Sequence, residues 1–200
     1  GVTLVRGRGL PEVYWNGVLS CDPTANLVHF DQLVPQGAAI GARRLPGETE
    51  FLRSSDSWFR PVFLAFGPDG ALYVCDMYRK TIEHPDYLPE EVRKHTDFRS
   101  GAEMGRIWRV VRSDAPKISM TEAARVLREG KPMEVVALLA HPEPWQRDNA
   151  CRKILEAPSE AFRSPLEKLL ASDAPDYALA RGAGVAAALG MNVEERLRGW

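Results

Sequence analysis

The sequence predicts an all-β unit followed by an all-α unit. Three observations point that way. Before residue 113, β-branched and aromatic residues cluster in short runs separated by Gly, Pro, Asp and Asn, whereas Ala, Leu, Glu and Arg at helical spacing dominate after it. One strand–turn segment recurs in the first half, and an apolar helical pattern recurs at a near-constant interval in the second. Ser113 to Pro116 is the natural break, which gives units at 1–112 and 119–200 around a linker at 113–118.

In chain order, Gly17 to Cys21 and Asn26 to Phe30 read as strands around the turn residues Asp22, Pro23, Thr24 and Ala25. Ala38 to Arg44 is a weaker third. Pro61–Phe66 and Ala71–Cys75 form the clearest hairpin, because Pro68 presets φ for the turn and Gly70 tolerates a positive one. Arg106 to Val111 supplies a further strand. Gly17 to Asp22 resembles Gly70 to Asp76, with the two Asp residues 54 positions apart, close to the roughly 40–50 residues of a propeller blade. On the residues alone, a blade repeat and a chance likeness both remain open.

The second half reads as paired helices. Thr121 caps a helix through Arg128 that Gly130 stops, and Met133 to Ala140 is a short apolar helix broken at His141-Pro142. Pro144 starts the next one, which runs through Leu155. Pro165 to Ala171 and a last helix ending at Leu189 follow. Leu155 and Leu189 are 34 residues apart, and Leu139 and Leu170 are 31 apart. That period suits a HEAT-like α-solenoid or an irregular helical domain.

Composition excludes several function classes. The chain is 200 residues long with Lys+Arg 26, Asp+Glu 27 and net charge −1, without the basic stripe of a nucleic-acid binder or a polybasic membrane-surface protein. No apolar run reaches the roughly 18 residues of a spanning helix, and Gly1 to Arg6 does not read as a signal-peptide start. The absence of an initiator Met and the stop at Trp200 suggest a piece of a longer protein. Cys21, Cys75 and Cys151 lack metal or disulfide spacing and read as small, mostly buried side chains.

Hairpin geometry gathers the candidate site. A turn centred between Pro68 and Asp69 sets Pro61 opposite Asp76, with Arg60 beside both at the end away from the turn. The segment 77–105 leaves and returns at that end and carries Tyr78, His84, Asp86 and His95. A loop this long is usually functional or disordered, and residues 89–93 could form one helical turn in it. Arg60 and Asp76 read either as a structural ion pair or as groups holding a polyanionic or quinone-like ligand. His84, Asp86 and His95 could alternatively form a metal site, although their spacing matches no zinc pattern. His29 and His141 read as structural, and Trp58 and Trp108 as packing.

These residues also carry a family resemblance. The stretch from Glu50 to Pro61, then Gly67–Val74, Asp76–Tyr78, Ile82–Pro85 and Gly105–Val110, resembles the "membrane-bound dehydrogenase" proteins of planctomycetes and verrucomicrobia, relatives of soluble quinoprotein sugar and sorbosone dehydrogenases. Leu10 to His29 and Val136 to Arg147 fit the same family. The resemblance implies the last two blades or so of a six-bladed β-propeller followed by HEAT-like repeats. It implies a periplasmic or secreted, envelope-associated protein that oxidises a carbohydrate or alcohol-type small molecule. Electrons would pass to a cytochrome c-type acceptor, and haem c, like most calcium ligands, would lie outside this chain. By the same resemblance Arg60 and Asp76, 16 residues apart, lie near pyrroloquinoline quinone (PQQ), with Arg60 keeping Asp76 ionised. Tyr78 and His84 would line the mouth. Trp58 stands where those relatives place a second Arg. The alternative is a non-catalytic propeller–solenoid that binds glycans or protein partners.

Overall fold

The computed structural model describes residues 1–47, 49–115 and 119–194. Residues 116–118 of the expected linker, and 195–200 of the expected helical unit, lie outside the described residues. The chain divides into two compact units, one of residues 1–67 and 71–115, the other of residues 68–70 and 116–200.

The first unit holds two antiparallel sheets. One runs in the order β1 (Val2–Leu4), β2 (Gly17–Asp22), β3 (Leu27–Gln36) and β4 (Ala39–Arg44), with β5 (Leu52–Arg53) also paired to β3. The other has the order β6 (Pro61–Phe66), β7 (Leu72–Asp76) and β8 (Arg106–Val110). Next to the turn the register is centred on Asp69 rather than between Pro68 and Asp69, with Leu64 opposite Val74 and Phe63 opposite Cys75; a bulge at Val62 then shifts it by one residue and sets Pro61 opposite Asp76, the expected pair. The extra residue lets both Pro61 and Leu64 face inward. Gly70, at φ +77°, supplies the turn's left-handed position.

One face of each sheet is apolar, and these faces pack together. Leu19, Val28 and Phe30 from the first sheet share a core with Leu64, Leu72 and Val74 from the second, closed by Val5, Leu10 and Phe59. Each such side chain contributes about 1.5–3 kcal/mol on burial. The short strands β1 and β5 escape sequence patterning because two or three residues show no period. The three cysteines are free and half-buried, more exposed than expected. Partial burial raises the Cys21 thiol above its ordinary range. Between β7 and β8 lies the one-turn helix α1 (Glu90–Lys94).

The second unit is helical: α2 (Met120–Ala123), α3 (Arg125–Glu129), α4 (Pro132–Ala137), α5 (Pro144–Glu156), α6 (Arg163–Leu170) and α7 (Asp176–Ala188). Pro132 and Pro144 occupy first-turn positions, where the missing N–H costs nothing. Thr121 lies inside α2 rather than capping it. A 3₁₀ turn over Leu138–Ala140 ends the α4 segment, and His141 Nδ1 accepts the Glu143 N–H at 3.0 Å in the break before α5. Within this unit α4 packs on α6 and α5 on α7. Val135, Leu139, Ile154, Leu166 and Ala186 are fully buried between them. No described helix is long and apolar enough to cross a membrane. An all-β half followed by an all-α half is therefore what the chain forms, and the described strands close no barrel.

Candidate functional site

The register brings Pro61, Asp76 and Arg106 side by side at one end of the second sheet. Asp76 is 3% exposed, so its carboxylate must find hydrogen bonds inside the protein. Oδ1 accepts the backbone N–H groups of Arg60 and Tyr78, each at 2.9 Å, and Oδ2 accepts the Trp108 indole N–H at 3.1 Å. Arg106 Nε stands 3.9 Å from Oδ2.

Arg60 is placed differently from either sequence reading. Its backbone, not its guanidinium, meets Asp76, and the carboxylate's ion-pair partner is Arg106. The guanidinium donates to Arg79 O and Lys80 O, both at 3.0 Å, and to Pro23 O at 2.7 Å and Thr24 O at 3.4 Å. Arg60 thus ties the β2–β3 turn to the segment that follows β7. The side-chain pairing of Arg60 with Asp76 expected from the resemblance does not form: the guanidinium is committed to four backbone carbonyls, and the carboxylate accepts three N–H groups instead.

Tyr78 carries the local strain, a non-glycine residue at φ +50°. Its hydroxyl donates to Asp56 Oδ2 at 2.9 Å, and Asp56 Oδ1 accepts the Trp58 N–H at 2.9 Å. The Trp58 backbone bond and the Tyr78 hydroxyl hold the Asp56 carboxyl below its usual range. The same carboxylate pushes the Tyr78 phenol up. The Arg106 guanidinium lies 3.8 Å from the Tyr78 ring centroid and 5.7 Å from that of Trp108, and Trp58 lies 5.8 Å from Tyr78. Trp108 is 45% exposed, so it belongs to this surface rather than to interior packing. Sequence reasoning missed Asp56 and Arg106; the Arg106–Trp108 alternation on one strand face was the available signal.

The loop 77–105 is closed at its neck. The Lys80 N–H donates to Ser100 O at 3.3 Å, and the Arg79 guanidinium donates to Gly101 O and, at 3.4 Å, to Met77 O and Tyr78 O. Gly101 has φ +89°, and a Cβ there would lie 2.3 Å from Tyr78 O, so only glycine fits. His84 is 65% exposed and stays within the loop, accepting the Asp86 N–H at 3.3 Å and packing on Tyr87. His84, Asp86 and His95 do not converge as a metal site: among the described residues no three His, Cys, Asp or Glu side chains are arranged to hold a metal.

A second polar cluster lies on the first sheet. His29 Nδ1 is 2.6 Å from Glu50 Oε2, and Nε2 is 3.1 Å from Asp31 Oδ2, while Arg44 approaches Glu50 at 3.4 Å. An open cleft of about 400 Å³ borders these groups, with Ser20 and Cys21 on its wall. Both ring nitrogens contact carboxylates, so His29 clasps Glu50 to Asp31.

Fold and site together define a two-sheet antiparallel β unit with a buried-carboxylate hub and a stapled loop at one strand end, covalently followed by a helical unit. A family model described as a domain of unknown function, DUF7133, matches residues 1–114, and the chain belongs to that family. No curated protein and no solved structure matches the chain.

Proposed function

We propose that residues 1–112 are the last blades of a six-bladed, quinoprotein-type β-propeller and that residues 119–200 begin a HEAT-like solenoid. The whole protein is then a secreted or envelope-associated dehydrogenase that oxidises a sugar or alcohol-type substrate and passes electrons to a c-type haem. The observation that carries this reading is the hub. At the end where β2 and β7 finish, one buried carboxylate and one arginine fasten the turn 23–24, residues 58–60 and the neck of the 77–105 loop into a single surface. The α4–α6 and α5–α7 packing supports the solenoid.

The residues in this chain do not by themselves fit a quinone site. Arg60's donors face carbonyls, and Asp76 is enclosed by N–H groups. Nor do the described residues form a calcium site. In this reading PQQ and calcium are held by other parts of the protein, and Arg60 and Asp76 are positioning residues. Tyr78 and Arg106 face the ligand, with His84 farther out on the loop. The test is dye reduction by sugars and alcohols with the intact protein, quinone and calcium. Quinone-dependent turnover is expected; none with any substrate class overturns the reading.

A second reading has one observation in its favour. Exposed Trp108 beside Arg106, which also stacks on Tyr78 next to Trp58, is the residue mix of a binding surface for a glycan or protein partner. Saturable sugar binding without turnover would select it.

A further inference from the structure

The charged side chains around the hub differ in what they leave unused. Arg60 and Arg79 turn their guanidinium groups to backbone carbonyls. Asp76 accepts three N–H groups, and Asp56 accepts the Trp58 N–H and the Tyr78 hydroxyl. Arg106 donates only from Nε, to Met104 O at 3.2 Å, and the nearest carboxylate oxygen, Asp76 Oδ2, is 3.9 Å from that atom. Among the described residues its terminal nitrogens meet neither a carbonyl nor a carboxylate, and its side chain is 36% exposed. An arginine in this state offers a planar fork of donors without an acceptor.

The fork is also held still. The Arg106 guanidinium lies 3.8 Å from the Tyr78 ring centroid and 5.7 Å from that of Trp108. Stacking on a ring uses the face of the group and leaves its in-plane N–H donors at the edge. Both rings are themselves fixed, Trp108 through its indole N–H on Asp76 and Tyr78 through its hydroxyl on Asp56. Tyr78 keeps a positive φ in doing so, which is the kind of strain a binding site retains. Two further features adjoin the fork. Trp108 is 45% exposed and offers an apolar ring face. Asp56 is exposed and, with one bond at each oxygen, has lone pairs left for hydroxyl donors.

We infer that Arg106 is a specificity-determining residue that pairs with the carboxylate of an acidic sugar, a uronic acid residue, while Trp108 covers the sugar ring and Asp56 accepts its hydroxyls. A bidentate arginine–carboxylate pair supplies the acceptor that the fork lacks. A neutral sugar leaves the guanidinium unpaired, and a plain carboxylic acid leaves Trp108 and Asp56 without a role. The neighbouring Asp56 and Asp76 carboxylates favour a single negative charge over a phosphate dianion. The inference rests on the reading that this end of the β unit faces a carbohydrate, whether the protein oxidises it or only binds it.

The test is calorimetric titration of the intact protein with uronic-acid oligosaccharides of the galacturonate, glucuronate and mannuronate series, each beside the same oligomer with its carboxyl groups reduced to alcohols. One acidic series is expected to bind about tenfold or more tightly than its reduced form, with the preference shrinking as salt is raised. Arg106→Gln should abolish that preference. Arg106→Lys, which keeps the charge and loses the planar fork, should retain only part of it. Equal affinities for acidic and reduced oligomers, or a preference that survives in folded Arg106→Gln, overturn the inference and leave the carbohydrate reading standing. Binding of no oligomer of either kind overturns both.

Discussion

Asp76 offers the sharpest perturbation, because its carboxylate serves three donors at once. Asp76→Ala leaves the N–H groups of Arg60, Tyr78 and Trp108 without an acceptor in a half-buried setting. At about 1 kcal/mol for each orphaned donor, the loss is about 3 kcal/mol, a large share of the roughly 5–15 kcal/mol that holds a domain together. Asp76→Asn is milder and more informative. Its amide oxygen can keep the two backbone bonds, but its NH2 then faces the Trp108 indole N–H across 3.1 Å. Two opposed donors cost about 1–2 kcal/mol. Trp108→Phe removes the indole donor, so Asp76→Asn in that background should cost about 1 kcal/mol less, a coupling that a double-mutant cycle reads directly. The assay is urea denaturation followed through amide resonances of the β unit, so that the helical unit does not mask it. An Asp76→Ala cost below about 1 kcal/mol, or an absent coupling to Trp108, refutes the hub.

Other expectations concern the same end of the molecule and one group elsewhere. Gly101→Ala drives a Cβ into Tyr78 O and forces a positive φ on alanine; it should cost about 2 kcal/mol or more and open the loop to protease, measured by cleavage rate between residues 80 and 100. Tyr78→Phe should remove a tyrosine that titrates above the ordinary range, seen as a missing late component in absorbance at high pH. Arg60→Met should loosen the β2–β3 turn from the 79–80 segment, read as faster amide exchange at Thr24 and Ala25. His141 has its pKa lowered, chiefly by burial. A depressed histidine binds fewer protons folded than unfolded, so stability is complete above the unfolded value near 6.5 and falls as pH drops through the folded one. His141→Asn, which keeps an acceptor for the Glu143 N–H, should flatten that fall in a pH series of thermal midpoints.

Much of the framework was legible because local chemistry dictates it. Pro68 and Gly70 mark the β6–β7 turn, whereas the Pro61–Asp76 pairing also needs the bulge at Val62, which no turn residue announces. Pro144 marks the start of α5 as clearly as His141-Pro142 marks the break before it. The site was legible as a location and not as a set of bonds. Arg60 and Asp76 do meet, yet the direction of the guanidinium depends on carbonyls at residues 23, 24, 79 and 80, which no spacing rule connects to residue 60. Trp108 looked like packing because apolar aromatic residues usually are; its role follows only from the β7–β8 register, which sets Asp76 beside Arg106. The strain at Tyr78 has no sequence signal, since a tyrosine rarely adopts a positive φ and nothing nearby announces it.

The central claim, that this β unit is the closing part of a quinoprotein-type dehydrogenase, is tested most directly by titrating the intact protein with PQQ in the presence of calcium. The account expects saturable binding at one quinone per polypeptide, visible in the quinone absorbance band. Arg60→Met should weaken it indirectly, by loosening the surface around the 77–105 loop. No saturable binding by a correctly folded, calcium-supplied protein would contradict the account and leave the aromatic ledge of Trp58, Tyr78 and Trp108 as a binding surface without redox chemistry.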